Sequence, residues 1–220
     1  MTSHDGFHRW DHSAARQVRH TVFPDGCRDV LVIQDACGAI SVKLTGFDLR
    51  PRAVVTEAGT RITGYRLRPG AEISPELLTR VAAEPGRVAE ILGNALGAWG
   101  EVDDTILALT LPDATAGRVA RDQGVSLRTL QRHFASRSLP PPEFWRLLGR
   151  ARRAVLRLAQ GRPLAEVACD CGFSDQAHMT RDLLRWFGTT PARLRRDGPA
   201  LAVLAQPALG NWTAEQISTR

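Results

Sequence analysis

The feature that most constrains this chain is one device written twice. GRVARDQGVSLRTLQRHF spans residues 117–134 and LAEVACDCGFSDQAHMTRDLL spans 164–184. In each, a short apolar-periodic run meets a glycine, Gly124 or Gly172, and a capping residue then opens a second helix. Ser126 fits the cap in the first copy, and Ser174 or Asp175 in the second. The glycine accepts the positive φ that ends a helix. Ala120 and Ala168 each lie four residues before it, where a small side chain lets two helices cross closely. Helix, glycine turn and capped helix together define a helix-turn-helix pattern.

The second helix of each copy has two faces. Leu127, Leu130 and Phe134 make an apolar stripe in the first, and Arg128, Gln131, Arg132 and Ala135 line the other side. In the second copy Met179, Leu183 and Trp186 or Phe187 are the stripe. Ser174, His178, Arg181 and Arg185 share the opposite face. Aligning Leu130 with Met179 sets Arg132 against Arg181, 49 residues on, and Gln131 against Thr180. An arginine fork grips O6 and N7 of guanine, glutamine pairs with N6 and N7 of adenine, and Ser or Thr serves either.

Charge is segregated in the same direction. The chain carries +6, yet residues 118–196 hold 16 Arg against 6 acidic residues and the remainder is net negative. All but one of the 29 cationic residues are Arg, the side chain suited to bidentate phosphate contact. A basic C-terminal half points to a polyanionic partner.

Between the copies, PPEFWRLLGRARRAVLRLAQG reads as one long helix from Pro142 to a stop at Gly161. Phe144, Leu148, Ala151, Val155 and Leu158 form its buried stripe, with Arg146, Arg150, Arg153 and Arg157 in a row on another face. Such a helix is about 25–30 Å long. That approaches the roughly 34 Å between successive major-groove faces on one side of a duplex.

GVSLRTLQRHF, the helix ending ARRAVLRLAQG, and LAEVACDCGFSDQAHMTRDLLRWFGTTPARLRR together resemble the DNA-binding domain of AraC/XylS-type bacterial transcription regulators. The resemblance implies double-stranded DNA as partner and base-reading positions at Arg128, Gln131 and Arg132 in the first helix. In the second it implies Gln176, Ala177, His178 and Arg181. Ser126, Thr129, Arg137, Ser174, Thr180 and Arg185 complete the expected DNA-binding set. Met179 stands where the family usually has an aromatic, and Ser138-Leu-Pro-Pro-Pro replaces its glycine-containing turn. Ala177 would contact a base only through a thymine methyl. FPDGCRDVLVI (23–33) and GYRLRPGA (64–71) are similar to a β-rich sensor domain found before such regulators, with no effector implied. RNA polymerase is a further partner compatible with this reading, as are monomeric and homodimeric states.

The first hundred residues read as β followed by helices. Val30–Ile33, Ile40–Leu44, Ala53–Thr56 and Arg61–Leu67 are β-branched runs separated by turn residues. Ser74-Pro75 opens a helix carrying Leu77, Leu78, Val81 and Ala82, and a second helix is expected over Arg87–Leu96. The expected fold is therefore α+β: a β-rich sensor-like domain over 1–100, an all-α domain over 101–197, and a tail over 198–220. The boundary is placed at Gly97–Asp104.

With 43% hydrophobic residues a packed core is expected. The longest apolar runs, such as Val30–Ile33, are too short to span a bilayer. MTSHDGFHRWDHS lacks the apolar region of a secretory signal, so a cytoplasmic location is expected. No G-x-S-x-G, P-loop, G-x-G-x-x-G or H-E-x-x-H occurs, and the expectation is a non-enzymatic protein without cofactor or metal.

Three rival constellations remain. Cys169 and Cys171, at i and i+2 on a helix, lie about 200° apart and cannot share a metal without distortion. They read as packing residues, with redox sensing open for them and for Cys27 and Cys37. His4, His8 and His12 would share a helical face, but Gly6 and the missing periodicity favour a polar arm. Asp25, Arg28 and Asp29 in PDGCRD fit either turn chemistry or a pocket. The runner-up functions are a ligand-binding or catalytic β domain tethered to nucleic acid, and a thiol or metal sensor.

Overall fold

A computed structural model describes residues 6–204. The β part has six strands: β1 (Phe7–Ser13), β2 (Val18–Val22), β3 (Arg28–Gln34), β4 (Ile40–Leu44), β5 (Arg52–Thr56) and β6 (Arg61–Leu67). A four-stranded antiparallel sheet has the order β1-β6-β3-β4, and β2 pairs with β5 in a separate two-stranded sheet. Four strands coincide with the β-branched runs. β1 forms where a polar arm was expected. His8 and His12 belong to this strand, and His4 lies outside the described residues.

Cross-strand packing explains β1. Trp10 faces Gly64 in the β1–β6 register, and a Cβ on Gly64 would sit 2.1 Å from the indole. Only glycine lets that ring lie flat across the neighbouring strand. The indole Nε1 donates to Asp29 Oδ1 at 2.9 Å, the Asp29 amide donates to Thr45 Oγ1 at 2.7 Å, and Arg66 lies 3.4 Å from the same carboxylate. Arg28 donates to the Ala71 carbonyl and lies 4.9 Å over Phe47. These two PDGCRD residues therefore bind strands and loops to one another, and Gly26 takes the turn with φ +79°.

Helices follow: α1 (Pro75–Ala83), a 3-10 turn at Pro85–Arg87, α2 (Val88–Ala95) and α3 (Glu101–Thr110). Ser74 caps α1 by accepting the Leu77 amide at 3.1 Å, with Pro75 in the first turn. Leu77, Val81, Val88, Ile91, Leu92 and Leu96 join Val30, Tyr65 and Leu67 in one core. The expected boundary at Gly97–Asp104 contains the start of α3. Asp103, 1% exposed, holds that start by accepting from Arg68, from the Gly70 amide at 2.9 Å and from the Gly100 amide at 3.1 Å.

The remaining helices are α4 (Ala116–Asp122), α5 (Leu127–Ser136), α6 (Pro142–Ala159), α7 (Leu164–Asp170), α8 (Gln176–Phe187), α9 (Pro191–Arg196) and α10 (Gly198–Leu204). The expected tail thus begins as a helix with Leu204 buried, and residues 205–220 lie outside the described ones. Among the described residues two compact units emerge: 6–22, 27–47 and 52–103 belong to one, and 23–26, 48–51 and 104–204 to the other.

Candidate nucleic-acid interface

The two copies of the repeat are closed by the same backbone bonds. Gly124 and Gly172 have φ of +71° and +72°. The Val125 amide donates to the Ala120 carbonyl at 3.0 Å, and the Phe173 amide to the Ala168 carbonyl at 2.9 Å. Gly124 donates to Arg121 at 2.9 Å, and Gly172 to Cys169 at 3.0 Å. This closure satisfies carbonyls that a helix end leaves orphaned, and it needs a left-handed residue at the turn. Ala120 and Ala168 are 0% and 1% exposed, as expected for close helix crossing.

Past the glycine the copies differ by one residue. Ser126, two positions on, caps α5 by accepting the Thr129 amide at 3.1 Å. Asp175, three positions on, caps α8 by accepting the His178 amide at 2.6 Å. Of the two candidate caps the structure uses Asp175. Ser174 is left to bond Nδ1 of His178 at 3.0 Å.

The inward faces are Leu130 and Phe134 on α5, and Met179, Leu183, Trp186 and Phe187 on α8. Leu127, expected in the first stripe, is 41% exposed. As the first residue of α5 it has no earlier turn of its own helix to lie against. Arg128, Gln131, Arg132 and Arg137 are exposed on one helix, and Gln176, Ala177, Arg181 and Arg185 on the other. Ser126 and Ser174 are exposed at the helix entries. Thr129 is half-buried with its hydroxyl 2.9 Å from that of Ser126, and Thr180 donates to the Gln176 carbonyl at 2.9 Å. Arg185 leans 5.6 Å over Trp186.

His178 is placed differently from its neighbours. It is half-buried, with Nε2 3.3 Å from an Arg150 nitrogen and its ring edge-on to Phe173 at 5.3 Å. Arg150 in turn donates to Asp182 Oδ2 at 2.6 Å and lies 4.4 Å over Phe173. Nδ1 lies 3.0 Å from the Ser174 hydroxyl and accepts from the Ser174 amide at 3.4 Å. Both ring nitrogens are thereby engaged within the protein. Sequence reasoning missed Asp182, whose only signal was a carboxylate one turn after His178 on the same helix face.

The arginine row of α6 separates into distinct roles. Arg146 donates to Glu143 at 2.9 Å and holds that carboxyl below its usual range, Arg153 donates to the Thr110 carbonyl, and Arg157 alone is exposed. Arg152, 3% exposed, donates to the Pro24 carbonyl at 3.0 Å. A cavity of about 100 Å³ lies beside Arg146, Arg150, Arg153, Asp170 and Cys171. Burial raises the Cys171 thiol, against the pull of Arg153 and Arg157, so it stays protonated. Cys27 is also buried, while Cys37 and Cys169 are exposed. Among the described residues no group of three or more His, Cys, Asp or Glu side chains could hold a metal, and no helix is long and apolar enough to cross a membrane.

Two tandem turns with exposed arginine- and glutamine-bearing second helices define a double helix-turn-helix protein. Residues 119–197 match a protein-family model described as a helix-turn-helix domain. The matched segment contains both glycine turns and the long helix between them. No curated protein matches the chain. Similar solved structures include ToxT of Vibrio cholerae in an apo variant, at 8% identity over 87% of this chain and 97% of that one, with a TM-score of 0.44. ToxT bound to an unsaturated fatty acid is similar at 9% identity over 89% and 97%, with a TM-score of 0.41.

Proposed function

We propose that this chain is a sequence-specific regulator of transcription that reads two successive major-groove segments of double-stranded DNA with α5 and α8. The observation carrying this is the duplicated turn, closed by the same hydrogen bonds, followed each time by a helix whose outer face presents Arg, Gln or Thr. α6, 18 residues long, spans about 27 Å and is stiff enough to set the spacing of the two readers. Arg128, Gln131, Arg132 and Arg137 serve the first segment. Gln176, Ala177, Thr180, Arg181 and Arg185 serve the second. Phosphate contact by arginine supplies affinity, and the groove-facing side chains supply selectivity. His178 acts from behind, through Ser174 and Arg150, as a support for the turn.

In this reading the β-rich unit receives a small-molecule effector or a protein partner such as RNA polymerase, and biases which DNA-competent arrangement is populated. It works in the cytoplasm, without catalysis, cofactor or metal, as a monomer or homodimer. The test is rounds of duplex selection on the full chain followed by titration across salt. A short consensus and a steep fall of affinity with salt are expected. Equal affinity for selected and random duplexes at every salt concentration overturns the reading.

A further inference from the structure

α8 differs from α5 in one respect that the DNA-binding assignment leaves unused. On α5 the outer row at i, i+3, i+4 and i+7 is Arg128, Gln131, Arg132 and Ala135. On α8 the corresponding row is Ala177, Thr180, Arg181 and Leu184. This is the spacing with which the third helix of homeodomains reads the major groove. Leu184 is 45% exposed, although Met179, Leu183, Trp186 and Phe187 bury the opposite side of the same helix. Its neighbours along the row are the methyl of Ala177 and the guanidinium of Arg181, both exposed.

A lone exposed leucine needs no explanation. Here it is one of two apolar side chains flanking an arginine, on a face that must enter a groove if the chain binds DNA. The only apolar group that base pairs offer in the major groove is the thymine C5-methyl. We propose that Leu184 and Ala177 make α8 a reader of thymine methyls around a guanine held by Arg181, and that Leu184 is a specificity-determining residue for the second segment. α5, with Arg128 and Gln131 in the equivalent row, reads hydrogen-bonding edges instead. The two halves of the site therefore differ in chemistry: α5 reads polar edges, and α8 adds methyl contacts to the polar contact of Arg181.

The inference rests on the regulator reading, and deoxyuridine separates the two. It removes the methyl and leaves every hydrogen-bonding group of thymine in place. The half-site facing α8 is identified first, as the one whose preference is lost in Arg181→Ala. Replacing thymines there with deoxyuridine should weaken binding of the full chain roughly fourfold per contacted methyl, the size expected for one buried methylene-sized group. Leu184→Ala should bind the thymine and deoxyuridine duplexes more nearly equally, and should leave the response in the α5 half-site unchanged. Equal binding of both duplexes by the unaltered chain overturns the inference, as does a Leu184→Ala protein that keeps the full discrimination. A selection that yields no thymine in that half-site also overturns it. Failure to select any duplex removes the regulator reading itself, and this inference with it.

Discussion

Arg150 and Asp182 form an ion pair of 2.6 Å between the linker helix and the second recognition helix, with both side chains largely shielded from solvent. The pair is capped by the Phe173 ring beneath Arg150 and by His178 beside it. Removing one partner leaves the other charge uncompensated, so Arg150→Ala should cost roughly 3–5 kcal/mol in urea unfolding. Arg150→Lys keeps the charge but not the planar fork. It should fold, yet lose preference in the α8 half-site while keeping its non-specific affinity. Uniform loss on all duplexes would show that the pair serves stability alone.

Arg132 gives the sharpest test of base reading. It is exposed in the middle of the outer row of α5, and no change in folding is expected from its removal. Arg132→Ala should lose roughly 1–3 kcal/mol on a selected duplex and relax preference at one position. An arginine that touches only phosphate would instead weaken binding to every sequence alike and lower the salt slope by about one. Anisotropy titrations on selected and scrambled duplexes distinguish the two.

What could be read in the sequence followed the range of the interaction. The turns at Gly124 and Gly172, the cap at Ser126 and the burial of Leu130, Met179 and Ala168 depend on residues within one or two helical turns, and periodicity exposes them. β1 was not legible because its strand character comes from Trp10 lying over Gly64, more than fifty residues away. The start of α3 was hidden for the same reason, since Asp103 is fixed by Arg68 and Gly70. His178 was read by spacing as outward-facing. Its inward ties come from Arg150, which helical periodicity groups with Arg146, Arg153 and Arg157 on a face away from the buried stripe. Which arginine of a basic helix meets solvent is decided by the helices packed on it.

Ser138 has φ +54°, a left-handed conformation at the end of α5, and its successor Leu139 donates to the Phe134 carbonyl at 3.0 Å. This is the closure used at Gly124 and Gly172, made here without glycine. The left-handed conformation costs a non-glycine residue roughly 1–2 kcal/mol. Glycine gives back roughly 0.5–1 kcal/mol of that through its larger unfolded-state freedom. Ser138→Gly should therefore raise stability by about 0.5–1 kcal/mol in thermal or urea unfolding. A drop would mean that the Ser138 side chain itself stabilises the turn.

One short segment of the N-terminal half, residues 23–26, belongs to the helical unit and is tied to it through Arg152 and Phe187. The buried Arg152 guanidinium donates to the Pro24 carbonyl, and Phe23 stands edge-on to Phe187 with ring centres 6.3 Å apart. A fragment of residues 101–197 lacks both partners. Hydrogen exchange of α6 and α8 amides should be faster in that fragment than in the full chain. Arg152→Ala in the full chain should speed exchange in α6, by an amount matching the roughly 1–3 kcal/mol of a lost buried bond to a charged group. Equal protection in fragment and full chain would show that residues 23–26 add nothing to the unit.

His20 makes the β-rich unit sensitive to acid. Its ring stands edge-on to His12 with centres 5.9 Å apart. Its pKa lies below the usual 6.5, first because burial disfavours the imidazolium, then because His12 and Arg52 add positive charge nearby. The folded state therefore binds this proton less readily than the unfolded chain does. The stabilising contribution is complete above pH 6.5 and is lost as pH falls through that value towards the folded pKa. The unfolding midpoint should drop over this window in the unaltered protein. His20→Asn, which cannot be protonated there, should flatten the drop. An unaltered slope in that variant would place the acid sensitivity elsewhere in the chain.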